Sequence, residues 1–181
     1  KHLQKFYELI SKSLPFSFDI IQGHGDDIQY CQPFFPKAKI ISTIHGHQET
    51  LPNTPIKPVF ISHSQKKEYE LFYNKPFDAP VIYNPIHFES FSFDDNKDDY
   101  LIFLAKVDWD VKGIDIAIRI AESTHNKLLI CGPGMTKSVK RKLSDQIIYI
   151  GEVAGQRKVD LLKKAKAILY PTLWPEPFGL A

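Results

Sequence analysis

The sequence predicts an α/β protein built on parallel sheets, and three observations predict it. Short apolar runs rich in β-branched residues recur along the chain, amphipathic helical patterns separate them, and one acidic, serine-containing stretch interrupts the series before it resumes. Such alternation marks βαβ units, whose strands are covered on both faces and therefore read as continuous hydrophobic stretches.

Leu3, Phe6, Leu9 and Ile10 lie at helical spacing and predict an opening helix. Apolar runs follow at residues 18–21, 39–44, 58–62 and 81–83, with a loop holding Pro52, Pro55 and Pro58 and a helix capped by Ser64 that runs to about Tyr73. Residues 88–99 break the periodicity, so a boundary is expected there. Residues 1–90 then form the back part of one Rossmann-like domain, 91–99 a linker, and 100–181 the front part of a second. In the second half, runs at 100–107, 127–131, 147–150 and 167–170 alternate with helices. Ile114, Ala117, Ile118 and Ala121 make one apolar stripe, and Val159, Leu162 and Ala165 or Lys166 make another.

A chain of 181 residues with 43% hydrophobic content can bury one core or two small ones. A net charge of +2 with interspersed signs gives no basic field, so nucleic acid is not an expected partner. Cys31 and Cys131 are far apart, which excludes a disulfide framework and a cysteine zinc site. No apolar run approaches the ~20 residues that span a bilayer, and no secretory signal is present. The expected location is cytoplasmic. The basic stretch at residues 137–142 reads first as a solvated helix face and otherwise as a peripheral contact with anionic lipid at the cytoplasmic face.

In open α/β sheets ligands bind beyond the carboxyl ends of the strands, so the residues after each run carry the functional signal. After residue 104 come Lys106 and Lys112 around a loop closed by Gly113, two cations suited to a diphosphate or simply to solvent. Gly132-Pro133-Gly134 follows the next run and permits close backbone approach, though it is also an ordinary turn. Gly151-Glu152-Val153 follows the third, and Glu176 with Pro177-Phe178-Gly179-Leu180 follows the fourth, adding a carboxylate for hydroxyls and backbone amides at an expected helix start. Four such loops on one sheet edge favour a nucleotide-sugar site.

The segments Ala105-Lys106 through Lys112-Gly113, Cys131-Gly132-Pro133-Gly134, Gly151-Glu152-Val153 and Pro171-Thr172 through Glu176-Pro177-Phe178-Gly179-Leu180 together resemble the C-terminal domain of glycosyltransferase family 4, the group 1 glycosyl transferases of GT-B fold. Val81-Ile82-Tyr83-Asn84-Pro85 resembles, with Pro85 in place of a glycine, the family's segment leading out of its N-terminal domain. Looser likeness extends to the stretches ending in His24 and His45.

The resemblance implies two Rossmann-like doubly wound domains, both incomplete in this chain, and a retaining hexosyl-type transfer from a nucleotide-diphosphate sugar to a carbohydrate or lipid-linked acceptor, in a setting such as polysaccharide or lipopolysaccharide assembly. It implies that Lys106 and Lys112 bind the diphosphate, that Glu176 holds sugar hydroxyls, and that Gly132, Gly134, Val153, Phe178, Gly179 and Leu180 complete the donor site. Lys106 stands where the family usually has arginine, which keeps the charge and loses the bidentate fork. His24, Lys112 and Glu176 are implied at the reacting sugar, and His45 on the acceptor side. A partner glutamate for Glu176 is expected beyond Ala181, and a glycine-rich loop upstream of His24. No cofactor is expected besides the donor, and no metal, since the His45-x-His47 pair has no third ligand spaced for one. Two other readings stand beside this one: a metal-dependent transferase using Asp108 and Asp110, and a fragment that binds nucleotide-sugar or a partner without turnover.

Overall fold

A computed structural model describes residues 2–14, 17–47, 51 and 56–179. The chain divides into two compact units, one comprising residues up to Pro85 together with Pro177–Gly179, the other Ile86–Glu176. Each carries a parallel sheet.

In the first unit, helix α1 (His2–Ser13) precedes β1 (Ile20–His24), a 3-10 segment (Asp27–Phe34), β2 (Lys39–Ile44), β3 (Lys57–Phe60) and α2 (His63–Phe72). The strands pair in the order β1-β2-β3, all parallel, with Ile20 opposite Lys39 and Ile44 opposite Phe60. β2 alternates buried positions with exposed or half-buried ones. One of its faces places Ile40 among Ile28, Cys31 and Ile56, and Ile44 packs with Phe60 and Tyr69. The run expected at residues 18–21 begins at Ile20 and continues through Gly23 and His24, which pair with Ser42 and Thr43, so His24 closes the strand. Residues 81–83 form no strand; Val81 makes an isolated parallel bridge to Phe60. Ser62, and not the expected Ser64, caps α2: its backbone is extended and its hydroxyl accepts from the Gln65 amide at 3.0 Å.

The second unit runs β4 (Tyr100–Leu104), α3 (Ile114–Ser123), β5 (Lys127–Cys131), α4 (Lys137–Arg141), β6 (Ile147–Gly151), α5 (Gly155–Lys164) and β7 (Ala167–Leu169), with sheet order β6-β5-β4-β7, all parallel. Strand alternation sorts the core into two layers. Leu101, Phe103, Leu128 and Ile130 meet the α3 stripe Ile114, Ala117, Ile118 and Ala121, and Val139 of α4 joins them. On the other face Tyr100, Ile102, Leu129 and Cys131 meet Ala165, with Leu161 and Leu162 of α5 against them. The sheet is therefore wound on both faces. Val107, expected in the strand, lies beyond it and is fully buried, its amide donating to Pro133 at 2.8 Å.

Residues 94–98 are irregular and are tied to the end of α5: Lys164 pairs with Asp94 at 2.8 Å, and the Asp98 amide donates to the Lys164 carbonyl at 2.8 Å. In the basic stretch, Thr136 caps α4, Val139 is buried and Lys142 pairs with Asp115 at 2.7 Å. Among the described residues no helix is long and apolar enough to cross a membrane.

Candidate functional site

The winding of the second sheet decides where its crevice lies. From β4 the chain moves outward to β5 and β6 and then returns to place β7 on the other side of β4, so the order reverses between β4 and β7. Loops leaving their carboxyl ends part in opposite directions and leave a crevice there. Those loops carry residues 105–113 and 170–176.

Backbone contacts weld the two loops. The Leu173 amide donates to the Val111 carbonyl at 2.7 Å, and the Thr172 hydroxyl donates to the same oxygen at 3.2 Å. A 3-10 turn, Asp110–Lys112, ends at Gly113, which has φ +75° and whose missing Cβ would stand 2.1 Å from the Pro171 carbonyl oxygen. Only glycine fits both constraints. The result brings together residues 64 apart in sequence: Lys112 Nζ lies 2.5 Å from Glu176 Oε1, with side chains only 11% and 17% exposed. The Tyr170 hydroxyl donates to the other carboxylate oxygen. Burial pushes the Glu176 carboxyl up, but hydrogen bonds from Lys112 and Tyr170 outweigh it and hold the group below the usual carboxylate range. Burial, then the bond to Glu176, pushes the Tyr170 phenol up, so it stays a donor.

Two indoles frame the ammonium. Lys112 Nζ lies 5.5 Å from the Trp109 ring centre and 5.6 Å from that of Trp174, and the two rings are 5.3 Å apart. Lys106 Nζ lies 5.9 Å from the Trp109 ring and 3.7 Å from Asp108 Oδ1.

Beside this cluster the remaining strand ends are laced together. The Ala105 amide donates to Cys131 at 3.1 Å, the Gly132 amide to Gly151 at 2.8 Å, and the Tyr149 hydroxyl to Gly132 at 2.8 Å. Gly132 has φ +152°, and a Cβ there would fall 1.8 Å from the Ala105 carbonyl oxygen. Lys106, Gly132, Glu152, Val153 and Lys158 line an open cavity of about 200 Å³ at this edge. Cys131 lies in its wall, its thiol pushed up to about 11 by burial, so it is a packing residue rather than a nucleophile.

The model of the glycosyl transferases group 1 family matches residues 86–181, just over half of the chain. The chain belongs to that family. Solved structures agree on the GT-B fold of this group 1 transferase chain. AviGT4, a glycosyltransferase involved in avilamycin A biosynthesis, is 24% identical with a TM-score of 0.67, the match covering 96% of this chain and 54% of that one. A glycosyltransferase from Rickettsia africae ESF-5 is 15% identical with a TM-score of 0.76, over 98% of this chain and 58% of that one. Anabaena Alr3699/HepE, solved in complex with UDP, is 12% identical with a TM-score of 0.74, again over 98% and 58%. The group 1 chain thus spans somewhat more than half the length of these structures. No curated protein matches it.

Of the residues expected at a donor site, Lys112 and Glu176 touch, Lys106 shares the Trp109 ring with Lys112, and Gly132 and Val153 line the adjoining cavity. Gly134 sits against the Asp108 carboxylate, where a Cβ would be 2.3 Å from the carboxyl carbon. Phe178 and Gly179 are counted with the first unit, the Phe178 ring 6.0 Å from that of Tyr83. Residues 176–179 are irregular, and Leu180 lies outside the described residues. Trp109, Trp174 and Tyr170 were not singled out from sequence. A signal was available, because the chain's only two tryptophans both fall in strand-end loops.

The first unit of the group 1 chain holds a second constellation. His24 Nδ1 and His45 Nε2 are 2.7 Å apart at the ends of neighbouring strands, their rings tilted by 32°. Burial, reinforced by the proximity of His24, holds the His45 imidazole below its ordinary value and so neutral at pH 7. One face of α2 fixes the loop behind it. The buried Gln65 amide donates to the Ile44 and Gly46 carbonyls at 3.0 and 3.1 Å and accepts from the Ile61 amide at 2.9 Å, and the Tyr69 hydroxyl donates to Gly46 at 3.1 Å. His47 faces Glu68 at 2.8 Å. Among the described residues no three histidine, cysteine or acidic side chains converge as a metal site.

Proposed function

We propose that this chain is the donor-binding portion, with part of the acceptor-binding portion, of a transferase that moves a sugar with retention of configuration from a nucleotide-diphosphate sugar to a carbohydrate or lipid-linked acceptor. The observation that carries this reading is the Lys112–Glu176 contact at the crevice of the second sheet. It sets a cation for a departing diphosphate beside a carboxylate for sugar hydroxyls. Structural neighbours support the donor class, since Alr3699/HepE was solved with both UDP and UDP-glucose.

In this reading, Lys112 and Lys106 neutralise the charge that grows on the diphosphate as the glycosidic bond breaks, a stabilisation worth most where side chains are partly desolvated. Glu176, kept ionised by Lys112 and Tyr170, accepts from hydroxyls of the sugar. Gly132 and Gly134 let backbone approach the donor, and Val153 lines the cavity for the base. The first unit offers His24 and His45 to the acceptor, with His45 uncharged and able to take a proton. Charge stabilisation comes from the lysines, so no divalent cation is required, and Asp108 stands beside Lys106 at 3.7 Å.

Calorimetric titration of the chain with UDP and UDP-glucose tests the proposal. Binding that survives excess EDTA and weakens at least about tenfold in Lys112→Ala supports it. Affinity unchanged in that variant, or abolished by EDTA, overturns it. Hydrolysis or transfer measured in the same samples separates a catalytic chain from one that only binds.

A further inference from the structure

Trp109 occupies an unusual position among the charges of the second unit. Two ammonium groups, Lys106 and Lys112, lie within cation–π range of its one indole, at 5.9 and 5.5 Å, and a second indole, Trp174, closes on Lys112 at 5.6 Å. The two lysines differ in how else they are held. Lys112 is largely buried and has Glu176 at 2.5 Å, whereas Lys106 is 55% exposed and, among the described residues, has Asp108 at 3.7 Å besides the ring. A long, flexible ammonium side chain at an exposed site keeps most of its rotamers unless something draws it to one place. Here the common object drawing both lysines is the Trp109 ring, itself braced by Trp174 at 5.3 Å.

We propose that Trp109, braced by Trp174, is a positioning residue that gathers Lys106 and Lys112 into one paired-cation cradle and so makes the site select a diphosphate over a monophosphate. The inference rests on the proposed nucleotide-diphosphate donor and adds what sets its phosphate count. A monophosphate group is satisfied by one fixed cation, and Lys112 is fixed by its own pair with Glu176. A diphosphate carries a second charged group, and its extra affinity depends on where Lys106 is held. An aliphatic side chain at position 109 would fill space without attracting either ammonium, so the spread of Lys106 would cost the diphosphate more than the monophosphate. Phenylalanine keeps an aromatic face and restores part of the attraction.

The test compares wild-type chain, Trp109→Leu and Trp109→Phe, with UDP and UMP as probes in calorimetric titrations, and with proton NMR of the lysine side-chain methylenes. The wild type is expected to show ring-current upfield shifts on the Lys112 and Lys106 methylenes and to prefer UDP over UMP. Trp109→Leu should lose those shifts and weaken UDP about tenfold while changing UMP by less than about twofold, and Trp109→Phe should recover part of both. Equal weakening of UDP and UMP, or unchanged UDP affinity despite lost shifts, overturns the positioning role while leaving the donor reading intact. Wild-type chain that binds neither probe overturns the donor reading and this inference with it. Because Trp109 is 46% exposed at the rim, Trp109→Leu is expected to fold, and the dispersion of the NMR spectrum checks that directly.

Discussion

The two constellations of this chain hold charge in opposite ways. In the second unit, Lys112 and Glu176 are an ion pair withdrawn from solvent, each with further partners: Tyr170 on the acid, two indoles on the base. In the first unit, His24 and His45 meet through a single ring contact, and the specificity of the arrangement lies behind them, in backbone carbonyls pinned by Gln65 and Tyr69. One site stores its organisation in the functional side chains and the other in the scaffold under them. Truncating a functional residue should therefore damage the fold of the second unit and spare that of the first.

The largest expected effect is Glu176→Ala. It leaves a mostly buried ammonium without its carboxylate, a change that costs about 3–5 kcal/mol, read as a lowered denaturation midpoint of the second unit by urea titration. A loss below about 1 kcal/mol would show that the pair is solvated. The same pair sets a pH dependence. Glu176 has a folded value below its unfolded one, so it binds protons more readily when unfolded. Its contribution is fully present above about pH 4.5 and is lost as pH falls through the folded value. Glu176→Gln should flatten that acid limb.

Gln65→Leu inverts the comparison, because it touches no charged group yet strands the Ile44 and Gly46 carbonyls and the Ile61 amide. A loss of about 3 kcal/mol in the first unit is expected, against about 1 kcal/mol for Tyr69→Phe, which removes the hydrogen bond to Gly46. Hydrogen exchange of the amides in β2 and β3 would localise both losses; equal effects would mean the scaffold is not what orders the loop. Gly113→Ala should cost about 1–3 kcal/mol by strain at positive φ and contact with Pro171, and should loosen Lys112 from Glu176. The smallest effect is expected from His24→Gln. Removing the neighbouring imidazole should raise the His45 value without restoring it fully, since burial is the larger cause. An NMR titration in which His45 does not move would show that the two rings are uncoupled.

What was legible in the sequence follows the same division. Strands β4, β5 and β6 lie in a sheet covered on both faces, so their apolar runs are continuous and their starts read off directly, although β4 ends at Leu104 while its apolar run continues to the buried Val107. β1 was misplaced because Gly23 and His24 are not apolar and join the strand only through pairing with Ser42 and Thr43. The α2 cap was assigned two residues late, because two serines precede Gln65 and only the extended backbone at Ser62 decides between them. Lys112 and Glu176 were recognisable by motif, whereas their contact was not, being made across 64 residues by loops that meet only once β7 has returned beside β4. The tryptophan frame and the Gln65 clamp were hidden for that same reason: each depends on convergence in space, and neither has a local spacing to betray it.

The central claim is that the strand-end cluster of the second unit is a nucleotide-diphosphate site. It is tested most directly by following backbone amide resonances of the chain while UDP is added. The account predicts shifts concentrated at residues 104–113, 131–134, 151–153 and 170–176, and their loss in Lys112→Ala. Saturable binding whose shifts fall elsewhere, or shifts at these residues that persist unchanged in Lys112→Ala, would contradict it.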